Sequence, residues 1–379
     1  MSNVVISWSD IYNRYQTKNY CGQEYDVAAF LPISFASHDF ESQCQKEFGN
    51  WDWSRSFHKT QIIYHDERIV PEMLIAMHGW LRQQAGNIEN VVVVTTHTAG
   101  LTQWWDQYCS LYNQRSFKIR EWPFIRSFNW QDMFVNMKLL DRDIVLEAKK
   151  NIEFLFSYYG GISGKHDSMY LTLKMMNQFD VSLIDLVAKF KLSEQQITDY
   201  SMYLSYFGDV NEQVEIQNLH KEFVIGNTIR MHDIVKHTPF QKIRCEPFVG
   251  AGMQWDVDQR CFANVVRETD NLQPFGILTE KTFRGFYHHM AVVPLGYKTV
   301  ECLEKYGFWF PHDIIDFDYQ HEKDFLTRLN AMIKSLENLK NSHSMSDINE
   351  YYKVNFDKFR SNAELCVNYR FSDLHSFQL

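Results

Sequence analysis

Apolar residues fall along this chain in two rhythms. Short apolar runs, rich in Val, Ile and Phe, recur at residues 26–35 (DVAAFLPISF), 61–64, 88–95 (IENVVVVT), 151–159 (NIEFLFSYY), 263–266 and 291–295. Runs of this length, bounded by Gly, Pro or charged residues, read as buried strands. Between them lie stretches with helical spacing. One is 70–84, with Pro71 in its first turn; another follows Gly100 through Tyr108. Further helices are expected over 167–179, from Thr279, over 321–340 and over 347–371. Strand and helix in alternation predict an α/β protein with parallel sheets. In such sheets ligands bind beyond the C-terminal strand ends.

The pattern divides the chain. Residues 1–145 and 146–345 each contain strands and helices enough for a domain, and 379 residues is an ordinary length for two. The polar stretch 338–346 (NLKNSHSMS) reads as a linker to the last segment, 346–379. No fixed-period repeat or low-complexity run interrupts this plan.

Composition narrows the class. Apolar residues make up 45% of the chain, which supplies core for both domains. No basic start with an apolar h-region opens the sequence, and no apolar run reaches the ~20 residues of a membrane span. The seven cysteines show no C-x-x-C pairing and read as reduced thiols, so a cytoplasmic protein is expected. Residues 1–150 carry 15 Lys+Arg against 17 Asp+Glu, and residues 151–379 carry 23 against 30. A net charge of −9 argues against general nucleic-acid affinity. Residues 115–128 depart from that balance. There Arg115, Lys118 and Arg120 interleave with Phe117 and Trp122, a stripe that would hold phosphates and stack bases. An edge strand with solvated charges and core aromatics explains the same pattern.

The densest chemistry lies in residues 262–296. A strand delivers Glu268 at its end, and a loop with Pro274 and Gly276 follows. Thr279 then has the place of a helix N-cap, with Glu280 and Lys281 in the first turn and Arg284 behind. Free N–H groups at such a turn favour an anion, and two cations would add to that. A capped helix between core strands is the bland account of the same residues. Upstream, the strand ending at Ser157 runs into Gly160-Gly161-Ile162-Ser163-Gly164-Lys165-His166. This loop is one residue short of a Walker P-loop, and His166 stands where the hydroxyl should be.

The block Glu268-Thr269-Asp270, Gly276-Ile277-Leu278-Thr279-Glu280-Lys281 and Val292-Val293-Pro294-Leu295-Gly296 resembles the donor-site signature of the α-1,3-fucosyltransferases. Thr-Glu-Lys matches in full. The family's Asn-Ser after the Glu is Thr-Asp here, and its Tyr before Thr-Glu-Lys is Gly. The family also opens its donor domain with a strand, a Ser, and an Arg that contacts phosphate, and Ser157 with Lys165 or His166 falls in that place. The resemblance covers roughly residues 150–340. It implies a GT-B glycosyltransferase, two Rossmann-like domains facing across a cleft, with the last helix returning to the first. It further implies inverting transfer from a nucleoside-diphosphate sugar, without a required cofactor or metal. The donor would be held by Glu268, Thr279, Glu280, Lys281, Arg284, Ser157, Gly164, Lys165 and His166. Asp39, Asp66, Glu67 and His97 are the candidates for the catalytic base.

D-x-D pairs at Asp141-Asp143, Asp256-Asp258 and Asp316-Asp318 would suit a metal-dependent enzyme, but chance accounts for such matches in a chain with 22% charged residues. The whole chain also looks like glycosyltransferase-like proteins of tailed phages. That likeness implies a host-cytoplasmic enzyme and a hydroxymethylated pyrimidine in DNA as acceptor, contacted by Arg115, Lys118, Arg120 and Trp122. A glycan or lipid-linked sugar is the rival acceptor. A P-loop kinase or NTPase using Lys165, and a non-catalytic sugar-binding protein, are the alternatives in other classes.

Overall fold

The computed structural model describes residues 16–20, 23–31, 44–45, 49, 51–65, 69, 71–95, 97–121, 139, 141–158, 181–182, 258–268, 275–278 and 280–368. It is an α/β protein with two larger sheets, one mainly and one wholly parallel. The chain divides into two compact units. Unit 1 comprises Met1–Met137, Phe275–Glu280 and Asn368–Leu379; unit 2 comprises Lys138–Pro274 and Lys281–Val367. Among the described residues no helix is long and apolar enough to cross a membrane.

Unit 1 is built on a five-stranded sheet in the order β1 (Gln16–Tyr20), β2 (Gln23–Leu31), β3 (Thr60–His65), β4 (Val91–Thr95) and β6 (Lys118–Glu121). The first pair is antiparallel and the rest are parallel. The run 88–95 divides: Ile88–Asn90 is a 3-10 turn, and only Val91–Thr95 is strand. Helix α1 (Pro71–Gln84) opens on a proline whose missing N–H costs nothing at that position. Helix α2 (Leu101–Leu111) buries Leu101, Trp105 and Cys109, a four-residue spacing that puts one stripe on the sheet. The Trp105 ring stacks on Phe117 at 4.8 Å and its Nε1 donates to the Phe117 carbonyl. A short strand, β5 (His97–Ala99), pairs with one from much later in the chain, β10 (Gly276–Ile277), and Phe275 beside it joins this core.

Unit 2 is built on four parallel strands in the order β11 (Ala291–Pro294), β9 (Cys261–Val266), β7 (Phe154–Tyr158) and β8 (Val181–Ser182). Its described helices are α3 (Arg142–Ala148), α4 (Glu280–Tyr287), whose first residue falls to unit 1, α5 (Thr299–Glu304), α6 (Phe325–Ser342), α7 (Met345–Val354) and α8 (Phe356–Asn368). The stretch expected as a linker is largely helix. α6 runs through it to Ser342 because Leu336 and Leu339 continue its buried stripe, and Ser344 with Asp347 caps α7 at once. The expected helix over 347–371 is broken at Asn355 into α7 and α8. On α8, Phe359 packs on Phe262, Trp309 and Tyr352. Two asparagines splice irregular backbone to these helices. Asn349 binds both N–H and C=O of Ile152, and Asn362 does the same for Trp309.

The seating of α4 depends on Gly285. A Cβ there would lie 2.7 Å from Val292 Cγ2 and 3.2 Å from Asn264 Cβ and Oδ1. Gly79 in α1 is the contrast: nothing lies within 4 Å of its missing Cβ. Both changes to Ala gain roughly 1 kcal/mol of helix propensity, but overpacking costs about 1–3 kcal/mol. Gly79→Ala is therefore expected to raise the urea midpoint, and Gly285→Ala to lower it. Equal shifts in the same direction would contradict this account of how α4 is seated.

Candidate functional site

Chain order and sheet order disagree in unit 2 at one place. After β7 the next described strand of this sheet is β8, on one side of β7. After β9 the next described strand of this sheet is β11, on the opposite side; β10, between them in the chain, pairs with β5. β7 and β9 are direct neighbours, and the described strands that follow each of them lie on opposite outer sides of the pair. Divergence of this kind opens a crevice, the usual ligand position in an open parallel sheet. In unit 1 the described parallel strands follow chain order, and no such divergence occurs.

Glu268 lies two residues past the end of β9. It is buried, and Thr282 in the first turn of α4 donates its hydroxyl proton to the Glu268 carboxylate. Lys281, one residue before Thr282, is partly exposed. The sheet thus brings Glu268 to the first turn of α4. The neighbouring C-terminal end of β11 is closed instead. Tyr319 donates to the Pro294 carbonyl at 3.0 Å, and the buried Arg328 donates Nε–H to the Leu295 carbonyl at 2.8 Å.

Other expected donor residues turn inward. Arg284 is 5% exposed, and its Nε lies 3.9 Å from the Asp258 carboxylate, before the start of β9. Ser157 is buried in β7, where its hydroxyl accepts from Asn264 Nδ2 at 3.1 Å. The Glu280 side chain, Thr279, Gly164, Lys165 and His166 lie outside the described residues.

Around Asp258 is a buried ionic cluster that sequence reasoning missed. His288 Nδ1 bonds the Asp258 carboxylate, and Lys149 Nζ donates to the Asp258 and Cys261 carbonyls at 3.0 Å each. The Lys149 charge also faces the Tyr352 ring at 5.4 Å. Burial lowers the Lys149 pKa to about 8. Burial likewise lowers the pKa of His288, outweighing the Asp258 carboxylate that favours its charged form, and the Arg284 and Lys149 charges add to the lowering. Next to it, His289 is pushed down to about 3 by burial and by the Lys149 charge. The available signal was a His-His pair set directly before the apolar run of β11.

In unit 1, His97 is buried at the start of β5 with its ring edge on Phe275. Lys118 and Arg120 alternate along β6 with the core residue Ile119, and Phe117 is in the core. Arg115 is exposed, and its carbonyl pairs with His78 Nε2 at 2.8 Å. Asp39, Asp66, Glu67 and Trp122 lie outside the described residues. Of the D-x-D pairs, Asp141 and Asp316 each accept from the backbone N–H two residues on, and Asp258 belongs to the buried cluster.

Compared with protein-family models, curated proteins and solved structures, the chain matches none.

The cluster makes unit 2 acid-sensitive. A His whose folded pKa is depressed stabilises the fold fully above its free value of about 6.5, and that contribution is lost as pH falls. For His289 the loss runs from there down to about 3. Lys149 acts at the other end, and its burial penalty is relieved as pH rises from about 8 toward the free lysine value. His289 has φ 57, a conformation Asn tolerates. Denaturant midpoints between pH 7 and 4.5 are expected to fall more steeply for the natural protein than for His289→Asn. Parallel pH profiles would refute the assignment.

Proposed function

We propose that this protein is a glycosyltransferase of the GT-B type, moving a sugar from a nucleoside-diphosphate sugar to a hydroxyl acceptor. The observation that carries the reading is the diverging pair β7 and β9, with Glu268 beyond β9 and tied to the first turn of α4. The sequence beyond β7 continues into the glycine-rich stretch ending in Lys165. The Glu280 and Lys281 of the Thr-Glu-Lys resemblance are the first two residues of α4.

The chemistry follows from the leaving group. Negative charge builds on the departing diphosphate, so preorganised donors and cations must face it. Lys281 and Lys165 would supply full charges, and the α4 N-terminus its free amides. Glu268 would act through Thr282, holding the first turn of α4 in place. Arg284 would anchor α4 through Asp258. An inverting reaction also needs a base for the acceptor's proton; Asp39, Asp66 and Glu67 hold that role in the proposal. Phosphate-bearing acceptors such as DNA would draw on Arg115, Lys118 and Arg120. Base stacking would then fall to Trp122, since Phe117 is committed to the core.

Lys281→Ala is expected to weaken nucleoside-diphosphate binding by about 1.5–3 kcal/mol, the range for a charged hydrogen bond. Isothermal calorimetry with the full chain measures this directly. Thr282→Val should weaken the same binding less, because it loosens the turn and leaves Lys281 in place. Unchanged affinity in the Lys281 variant, or saturable ATP hydrolysis without sugar transfer, would overturn the reading.

A further inference from the structure

Unit 1 carries an open cavity of its own, with a volume of about 760 Å³. Thr102, Gln103, Asp106, Gln107 and Ser110 of α2 line it together with Glu121 at the end of β6. The volume is within the ordinary range of ligand pockets, and the place, open to solvent, is the end of β6.

The walls specify what fits. α2 starts at Gly100, in the left-handed region at φ 92, with no side-chain cap of its own. Glu121 supplies the missing partner, accepting from the Thr102 N–H through Oε1 at 2.9 Å. The Leu101 N–H also favours this carboxylate, against a burial that raises its pKa. The positive end of the helix is therefore already matched. A phosphate entering here would meet Glu121 and Asp106, with no Lys or Arg among the described lining residues. A cation would find Glu121 largely engaged by the helix amides. Beside Gly100 and Leu111, the remaining described lining offers two amides that donate and accept, two hydroxyls and one carboxylate. Donors and acceptors set side by side match a ligand whose every hydroxyl does both.

We propose that this cavity binds a neutral polyhydroxylated ligand, a saccharide, through Gln103, Asp106 and Gln107, with Glu121 as the fixed acceptor at its inner end. The binding stands independently of the donor site; only its description as the acceptor's place rests on the transferase reading.

The test is a titration of the full chain, without donor, against a panel of neutral oligosaccharides, followed by heteronuclear NMR or calorimetry. Spermidine and a short DNA duplex serve as charged comparators. At least one saccharide is expected to bind, and Asp106→Ala combined with Gln107→Ala to weaken it roughly tenfold or more, the worth of one to two hydrogen bonds. Both side chains are exposed, so the fold is retained. Glu121→Gln keeps an acceptor for Thr102 and should also weaken binding. No saccharide binding, equal binding by the double variant, or binding of spermidine alone would overturn the proposal. Nucleoside-diphosphate affinity measured on the same variants separates the two readings, because it should be unchanged whichever way this one falls.

Discussion

The Asp258 carboxylate, enclosed beneath the start of β9, sets the position of everything above it in unit 2. It bonds His288 at one end of α4 and faces Arg284 one turn earlier, while Lys149 closes over the adjoining carbonyls. A buried charge without partners is costly, and removing one member of such a set costs about 3–5 kcal/mol. The cluster therefore permits one placement of α4 along β9. Gly285 brings the helix close to the strands, and Thr282 meets Glu268 at the far end. The C-terminal end of β9, with Glu268, is thus tied to α4 at one end while Asp258 ties the same helix at the other end of the strand.

This explains a division of labour among the polar residues of α4. Lys281 is partly exposed, whereas Arg284 is spent on Asp258. A short helix laid on a sheet has only one open face, and charge alone does not say which residues occupy it. The same holds at the end of β11, where the fully buried Arg328 serves backbone carbonyls.

Much of the element sequence was legible. Val91–Thr95, Cys261–Val266 and Ala291–Pro294 are buried along their whole length, and the apolar runs announced them. Pro71 marked the first turn of α1. The sheet orders were not legible, since parallel pairing joins residues far apart in sequence and the runs are interchangeable in composition. Residues 338–346 misled because Asn, Ser and Lys suggest a loop, while the spacing of Leu336 and Leu339 quietly carries a helix onward. Glu268 and the start of α4 were legible as neighbours. Asp258, Lys149 and His288 were not, because they come from three separate places in the chain.

The grouping of Phe275–Glu280 with unit 1 has a bearing on how the protein is made. Phe275 sits in the unit 1 core, and Gly276–Ile277 completes the pair with β5. A nascent chain adds residues at roughly 5–20 per second, and a domain usually folds once its own segment has emerged. Here the first unit cannot close when its last consecutive residue, Met137, leaves the ribosome. It must wait until β9, a central strand of the second, has also been synthesised. The two units therefore mature on one clock, and a fragment ending near residue 137 would lack a piece of its own interior.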